Sequence, residues 1–138
     1  MDGEKILIIS CSGVGKAFGM VSREAMYIVV EDLCPEITDT LCLSLLTMGD
    51  EAAQARVRTL PTITIDGCPK MCARTNVQAS GGNLAAGFKV VDTYRRVREL
   101  KPQTVAMPDE EGRQLARALA GEVVAEVDRL RTAGKEEA

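Results

Sequence analysis

Two short isoleucine-rich runs, Lys5–Ser10 (K-I-L-I-I-S) and Thr62–Ile65 (T-I-T-I), are each followed within three residues by a cysteine and a glycine. Each then leads into a stretch of helical periodicity. The first run is almost continuously apolar, the pattern of a strand buried on both faces. From Lys16 to about Asp32 the residues Phe18, Val21, Ala25, Ile28 and Val29 share one side of a helix. Gly19 weakens that helix and Pro35 ends the segment. Asp39–Leu45 (D-T-L-C-L-S-L) is expected as a second strand, although the apolar run to Leu46 is also compatible with a helical start. A short helix is expected over Asp50–Arg58, the third strand over Thr62–Ile65 and the third helix over Pro69–Gln78. Gly81-Gly82 marks a break, and Phe88–Val91 predicts a weaker fourth strand. Glu110–Arg131 is the clearest helix, with Leu115, Leu119, Val123, Val127 and Leu130 in one apolar stripe. Strands that alternate with helices imply a parallel sheet with right-handed crossovers. The expected fold is a single α/β, Rossmann-like domain over residues 1–131, with three to four mostly parallel strands and flanking helices. Residues 132–138 are expected to fray.

The 138 residues suffice for one domain with a real core, and with aromatics at 3% that core must be aliphatic. A net charge of −3 argues against nucleic acid as the main partner. No run approaches the ~20 apolar residues of a membrane span. Met1-Asp2-Gly3-Glu4-Lys5 leads into a strand and not into a secretory signal, so a cytoplasmic location with reduced thiols is expected. Five cysteines in that setting point to metal ligands or reactive thiols, not to a disulfide framework. Histidine is absent altogether. That removes Cys-His proteases, most catalytic triads, mixed Cys/His zinc sites and imidazole acid–base chemistry. A tight transition-metal site must then be built mainly from thiolates.

The cysteines are placed to build one. Pro69 suits the first position of a helix, which makes Cys68 its N-cap and sets Cys72 four residues later on the same face. A helix start stabilises a thiolate through its free N–H groups and dipole. Gly67 permits the tight turn from strand to helix. Two ordinary buried cysteines are the plainer alternative. Cys11 lies just past the first strand, Cys68 just past the third, and Cys42 near the end of the second as placed here. In a doubly wound sheet the first strand is central, and neighbours lie ~4.8 Å apart. The three strand ends then carry Cys11, Cys42 and Cys68 to one sheet edge, where Cys72 adds a fourth thiol. Four thiolates at about 2.3 Å from an ion form a closed tetrahedral site.

Strand end Cys11-Ser12-Gly13, segment Leu41-Cys42-Leu43, and Ile65-Asp66-Gly67-Cys68-Pro69 followed by Cys72-Ala73 together resemble the DGC-domain family, described as candidate zinc-binding proteins. The similarity spans about Ile6 to Asn76 and continues more weakly through Phe88–Asp92. It implies an α/β domain that binds a metal through Cys11, Cys42, Cys68 and Cys72. Zinc and an iron–sulfur cluster both accept four thiolates, and the resemblance alone favours zinc. A closed zinc site leaves no open position for catalysis. The expected task is therefore a structural or accessory module of a redox or metalloenzyme system, with a protein partner possible and membranes and nucleic acids not involved. Whether the chain is an enzyme stays open, with a non-enzymatic role favoured. Cys34 falls outside the matching pieces and is expected to be a small structural residue before Pro35.

Rival motifs are weaker. Cys11 through Ala17 resembles a phosphate-binding loop, but Ser10 stands where its first glycine belongs and Ala17 where its magnesium-binding hydroxyl belongs. Cys68 to Arg74 fits C-x5-R, the pattern of tyrosine phosphatases and arsenate reductases. Against that, Pro69 removes one cradle N–H, the loop lacks glycine, and nothing positions Asp92 or Asp109 as the acid. Lys70 and Arg74 more naturally offset the −2 charge of a metal with four thiolates. Two further functions are compatible with the thiols: a thiol redox enzyme or sulfur carrier using Cys68 and Cys72, and an iron–sulfur carrier. Asp66 serves either as an acceptor orienting its loop or as a turn residue. Arg95, Arg96, Arg98 and Lys101 form a basic cluster that is either a solvated surface or a dock for an acidic partner.

Overall fold

The computed structural model describes residues 5–11, 17–67, 70–98 and 110–137. Strands β1 (Ile6–Ser10), β2 (Thr38–Asp39), β3 (Thr62–Asp66) and β4 (Leu84–Lys89) form one sheet in the order β2-β1-β3-β4. Every neighbouring pair is parallel. The α/β architecture expected from the alternating pattern is therefore present, with four strands. The central pair keeps an unbroken register from Leu7 opposite Thr62 to Ser10 opposite Ile65.

The alternation of side chains divides the sheet into two unlike faces. Ile6, Ile8, Ile63 and Ile65 point to a layer formed by α1 (Ala17–Tyr27) and the long α6 (Glu110–Glu137). Val21, Ala25, Leu115, Leu119, Val123 and Val127 fill that layer. Leu7, Ile9 and Cys11 point the other way, toward α2 (Leu43–Thr47), α3 (Glu51–Thr59) and α4 (Cys72–Ala79). Leu43, Leu46, Val57, Ala73 and Val77 fill this second layer. Each fully buried aliphatic side chain contributes roughly 1.5–3 kcal/mol by leaving water. The stripe predicted on α6 is buried through Val127, with Leu130 packed at its margin. No helix among the described residues is long and apolar enough to cross a membrane.

Several boundaries differ from the pattern-based expectation. The helix after β1 runs as α1 to Tyr27 and then widens into a π-helical segment, Ile28–Leu33, whose end is closed by Cys34 N–H on the Val29 carbonyl at 2.8 Å. The second strand is only Thr38–Asp39; of the predicted strand residues beyond it, Leu43 to Leu45 open α2 and Thr40 to Cys42 connect the two. Leu43 and Leu46 are the buried pair there, three apart, which is helical and not strand spacing. The third helix begins at Cys72 and not at Pro69, because Met71 adopts a left-handed conformation (φ 52°, ψ 51°) that a continuing helix excludes. Pro69 is thus not its first residue, and Cys68 and Pro69 lie outside the described residues. The fourth strand starts at Leu84 and ends at Lys89, since Val90 already opens α5 (Val90–Tyr94). The last helix continues to Glu137, past the point where fraying was expected.

Candidate metal centre

In a 2-1-3-4 sheet the chain leaves β1 toward one side and resumes at β3 on the other, so the C-terminal ends of β1 and β3 flank the switch point. Ligands of open α/β sheets bind at such a crevice. Cys11 sits there. Its N–H extends the β ladder onto the Ile65 carbonyl at 3.1 Å, and its side chain is buried. Among the described residues, two groups converge on its sulfur. The Gly67 N–H donates to Sγ at 3.3 Å, and the Ser22 hydroxyl oxygen of α1 lies 3.2 Å away.

Gly67 reaches this position because it has no side chain. A Cβ there would stand 2.5 Å from the carbonyl carbon and oxygen of Phe18 and from the amide nitrogen of Gly19. The backbone after β3 is thus packed directly on the first turn of α1. Gly19, which weakens the helix by propensity, is buried at that contact.

Asp66, one residue earlier, has a different task. It is 1% exposed and accepts the Ala73 N–H at 2.8 Å and the Arg74 N–H at 3.1 Å. It therefore caps α4 from the end of β3, the acceptor role of the two that its sequence position allowed. Met71, the residue before the helix, has no capping side-chain hydrogen bond. Burial pushes the Asp66 carboxyl above its ordinary value, while the two helix N–H groups and the Arg74 charge pull the other way.

Cys42 and Cys72 stand at helix starts. Cys72 is the first residue of α4, half-buried against the second layer. Cys42 is the N-cap of α2 and not the end of a strand. It is exposed, and its sulfur contacts the Ser44 hydroxyl at 2.8 Å. That hydrogen bond, with the Ser44 N–H, lowers the Cys42 thiol below its ordinary value, opposed by slight burial and helped by Leu45 N–H and the charge of Arg23. Arg23 itself lies over the Tyr27 ring at 5.7 Å. Cys68 lies outside the described residues. Among the described residues no three Cys, Asp or Glu side chains lie close enough together to hold an ion.

Cys34 is on the opposite face, buried at the end of the π-helical segment. Burial, with the nearby Asp128, pushes its thiol up, against a smaller pull from Arg131. In the basic cluster, Arg96 pairs with Glu122 of α6 at 2.5 Å and Arg95 faces Asp92 at 3.7 Å, so two of its charges already have acidic neighbours. Lys101 lies outside the described residues.

Ser22 was not anticipated as a site residue. Its signal was a serine on the buried side of α1, in phase with Ala25, Met26 and Val29, where the pattern calls for an apolar residue.

The fold defines a parallel α/β domain with Cys11 at its switch point. The chain belongs to the DGC domain family, whose model matches residues 7–119. Comparison with curated proteins and with solved structures gives no match.

Proposed function

We propose that this chain is a small metal-binding protein that holds zinc through Cys11, Cys42, Cys68 and Cys72 and serves as a structural or accessory module of a redox or metalloenzyme system. The observation that carries the reading is the Gly67 N–H on the Cys11 sulfur at 3.3 Å. It fixes the backbone immediately before Cys68 against Cys11, across the crevice where such sheets take ligands. Donation from a backbone N–H to sulfur is also the kind of contact that orients a ligating thiolate. Cys42 stands at a helix start, where the Ser44 hydroxyl and N–H favour its thiolate form. With four thiolates a divalent ion carries a −2 charge, and Lys70 and Arg74, both exposed, supply offsetting positive charge beside the site. The soft all-sulfur donor set suits zinc, with an iron–sulfur cluster as the rival occupant.

A phosphatase role meets a specific obstacle. A phosphate at the start of α4 needs free N–H groups, and Asp66 already occupies those of Ala73 and Arg74. A thiol redox or sulfur-carrier role has one observation in its favour, the exposed and acidified Cys42.

Elemental analysis of protein purified anaerobically under reducing conditions tests the reading. The expected result is about one zinc per chain in a colourless protein. Cys11→Ser, Cys42→Ser, Cys68→Ser and Cys72→Ser should each lose metal, and Cys34→Ser should not. A brown protein with iron and sulfide would reassign the site to a cluster. A folded, metal-free protein with these thiols freely titrating would defeat it.

A further inference from the structure

We infer that Ser22 is a positioning residue for the Cys11 sulfur, donating its hydroxyl proton to that sulfur when Cys11 is a metal ligand; this rests on the zinc reading above. Ser22 is completely buried on α1, within 3.2 Å of Cys11 Sγ. Its oxygen also lies 2.6 Å from the Gly19 carbonyl, which can only accept. The single hydroxyl proton therefore goes to Gly19, which leaves the hydroxyl oxygen able to accept from the Cys11 thiol across the 3.2 Å contact. That is the arrangement of the protonated thiol. On metal binding the S–H proton leaves to solvent and a metal–sulfur bond forms. Sulfur and hydroxyl would then face each other through lone pairs alone, unless the hydroxyl turns. Rotation about the C–O bond redirects its proton to the sulfur without moving a heavy atom. Gly19 tolerates the loss, because in an α-helix its carbonyl also receives the N–H four residues on, that of Arg23.

Two donors, the Gly67 N–H and the Ser22 O–H, then hold the Cys11 thiolate from two different elements. Both also bear on one junction. Gly67 packs on the backbone of Phe18 and Gly19, and the Ser22 hydroxyl bonds the Gly19 carbonyl. Outer contacts of this kind govern ligand orientation, and their removal typically weakens metal affinity by about 10–100-fold.

The test compares full-length wild type with Ser22→Ala, Ser22→Thr and Cys11→Ser. Zinc affinity is measured by competition with a chromophoric chelator, and cobalt(II) replaces zinc for spectroscopy. Ser22→Ala should bind zinc about 10–100-fold more weakly than wild type. Its sulfur-to-cobalt charge-transfer band should move to longer wavelength, because a hydrogen bond lowers the energy of the sulfur lone pair. Ser22→Thr, which keeps the hydroxyl, should restore both. The metal-free melting temperature of Ser22→Ala reports any purely structural role and should stay near wild type. Unchanged affinity and band position in Ser22→Ala, with metal lost in Cys11→Ser, would overturn the role of Ser22 and leave the four-cysteine site standing. A wild type that binds neither ion, or a Cys11→Ser protein that binds both normally, would remove the site reading and this inference with it.

Discussion

Gly67→Ala puts the central contact of the site to a direct test. The new Cβ would stand 2.5 Å from three backbone atoms, the carbonyl carbon and oxygen of Phe18 and the amide nitrogen of Gly19. Carbon atoms normally meet at about 3.5–4.0 Å, so roughly 1 Å of separation must be found. No side chain can swing away to provide it, since every atom met is main chain. Either α1 lifts from the sheet or the segment after β3 shifts, and the overpacking cost is roughly 1–3 kcal/mol. For a chain of 138 residues that corresponds to a fall of roughly 3–15 °C in melting temperature. Gly121→Ala is the matched control. Gly121 lies exposed within α6, and a Cβ there meets nothing within 4 Å. Alanine should raise stability at that position by roughly 0.5–1 kcal/mol through helix propensity. Paired thermal and urea melts of the metal-free protein read both. The reasoning fails if Gly67→Ala melts at or above wild type while Gly121→Ala behaves as stated. In the zinc-bound protein Gly67→Ala should also weaken retention, because separating the two backbones lengthens the Gly67 N–H contact to Cys11.

Asp66→Ala should cost roughly 1–3 kcal/mol in urea melts, since it leaves the Ala73 and Arg74 N–H groups without their acceptor at a buried helix start; Asp66→Asn should cost less, and equal stability for wild type and Asp66→Ala would contradict the cap. Asp39 bonds Arg56 at 2.8 Å; burial pulls its carboxyl upward, but that bond, the Thr40 N–H and the charges of Arg56 and Lys5 leave it below its ordinary value. A carboxyl depressed in the folded state adds stability above its unfolded pKa of about 4 and loses it as pH falls through the folded value. Both side chains are about two-fifths exposed, so the gap between wild type and Asp39→Asn should be at most about 1 kcal/mol at neutral pH and close in acid; a gap that ignores pH would refute it. In metal-free protein, mass spectrometry should find exposed Cys42 alkylated by iodoacetamide well before buried Cys34, and the reverse order would contradict the placement of both.

The fold was legible where burial is strong and periodic. Ile6–Ser10 and Thr62–Asp66 are central strands whose side chains are enclosed on both faces, so their apolar pattern is nearly continuous. The α6 stripe is equally plain, because one side of that helix is buried and the other is wet. Legibility failed where strands are short or peripheral. β2 pairs with β1 through only two positions, too few to leave a period-two pattern. β4 is an edge strand, and its Ala85-Ala86-Gly87 centre lacks the β-branched residues that announce a strand. The start of α4 was misplaced because Pro69 is a sound local signal for a helix start. The structure instead starts the helix after the left-handed Met71 and caps it with Asp66 from the preceding strand, a nonlocal arrangement that no local rule encodes.

The site follows the same division. That Cys11 and the Asp66-Gly67 turn meet at one edge is a consequence of strand order, which the alternation of elements implies. What each residue does there is not visible from its type. Asp66, open between a loop-orienting acceptor and a turn residue, is an acceptor that caps a helix; Gly67 looks like a tight-turn residue and is also a packing contact; Ser22 looks like a flaw in an apolar stripe and touches the sulfur. Asp66 ties β3 to α4, while Gly67 ties the same segment to α1 and to Cys11. Adjacent residues thus secure the backbone ahead of Cys68 to two helices on opposite faces of the sheet. A loop held at that many points before its cysteine suits a ligand that demands fixed geometry. It does not suit a nucleophile that needs the helix N–H groups for its substrate, because the carboxylate of Asp66 has already taken them.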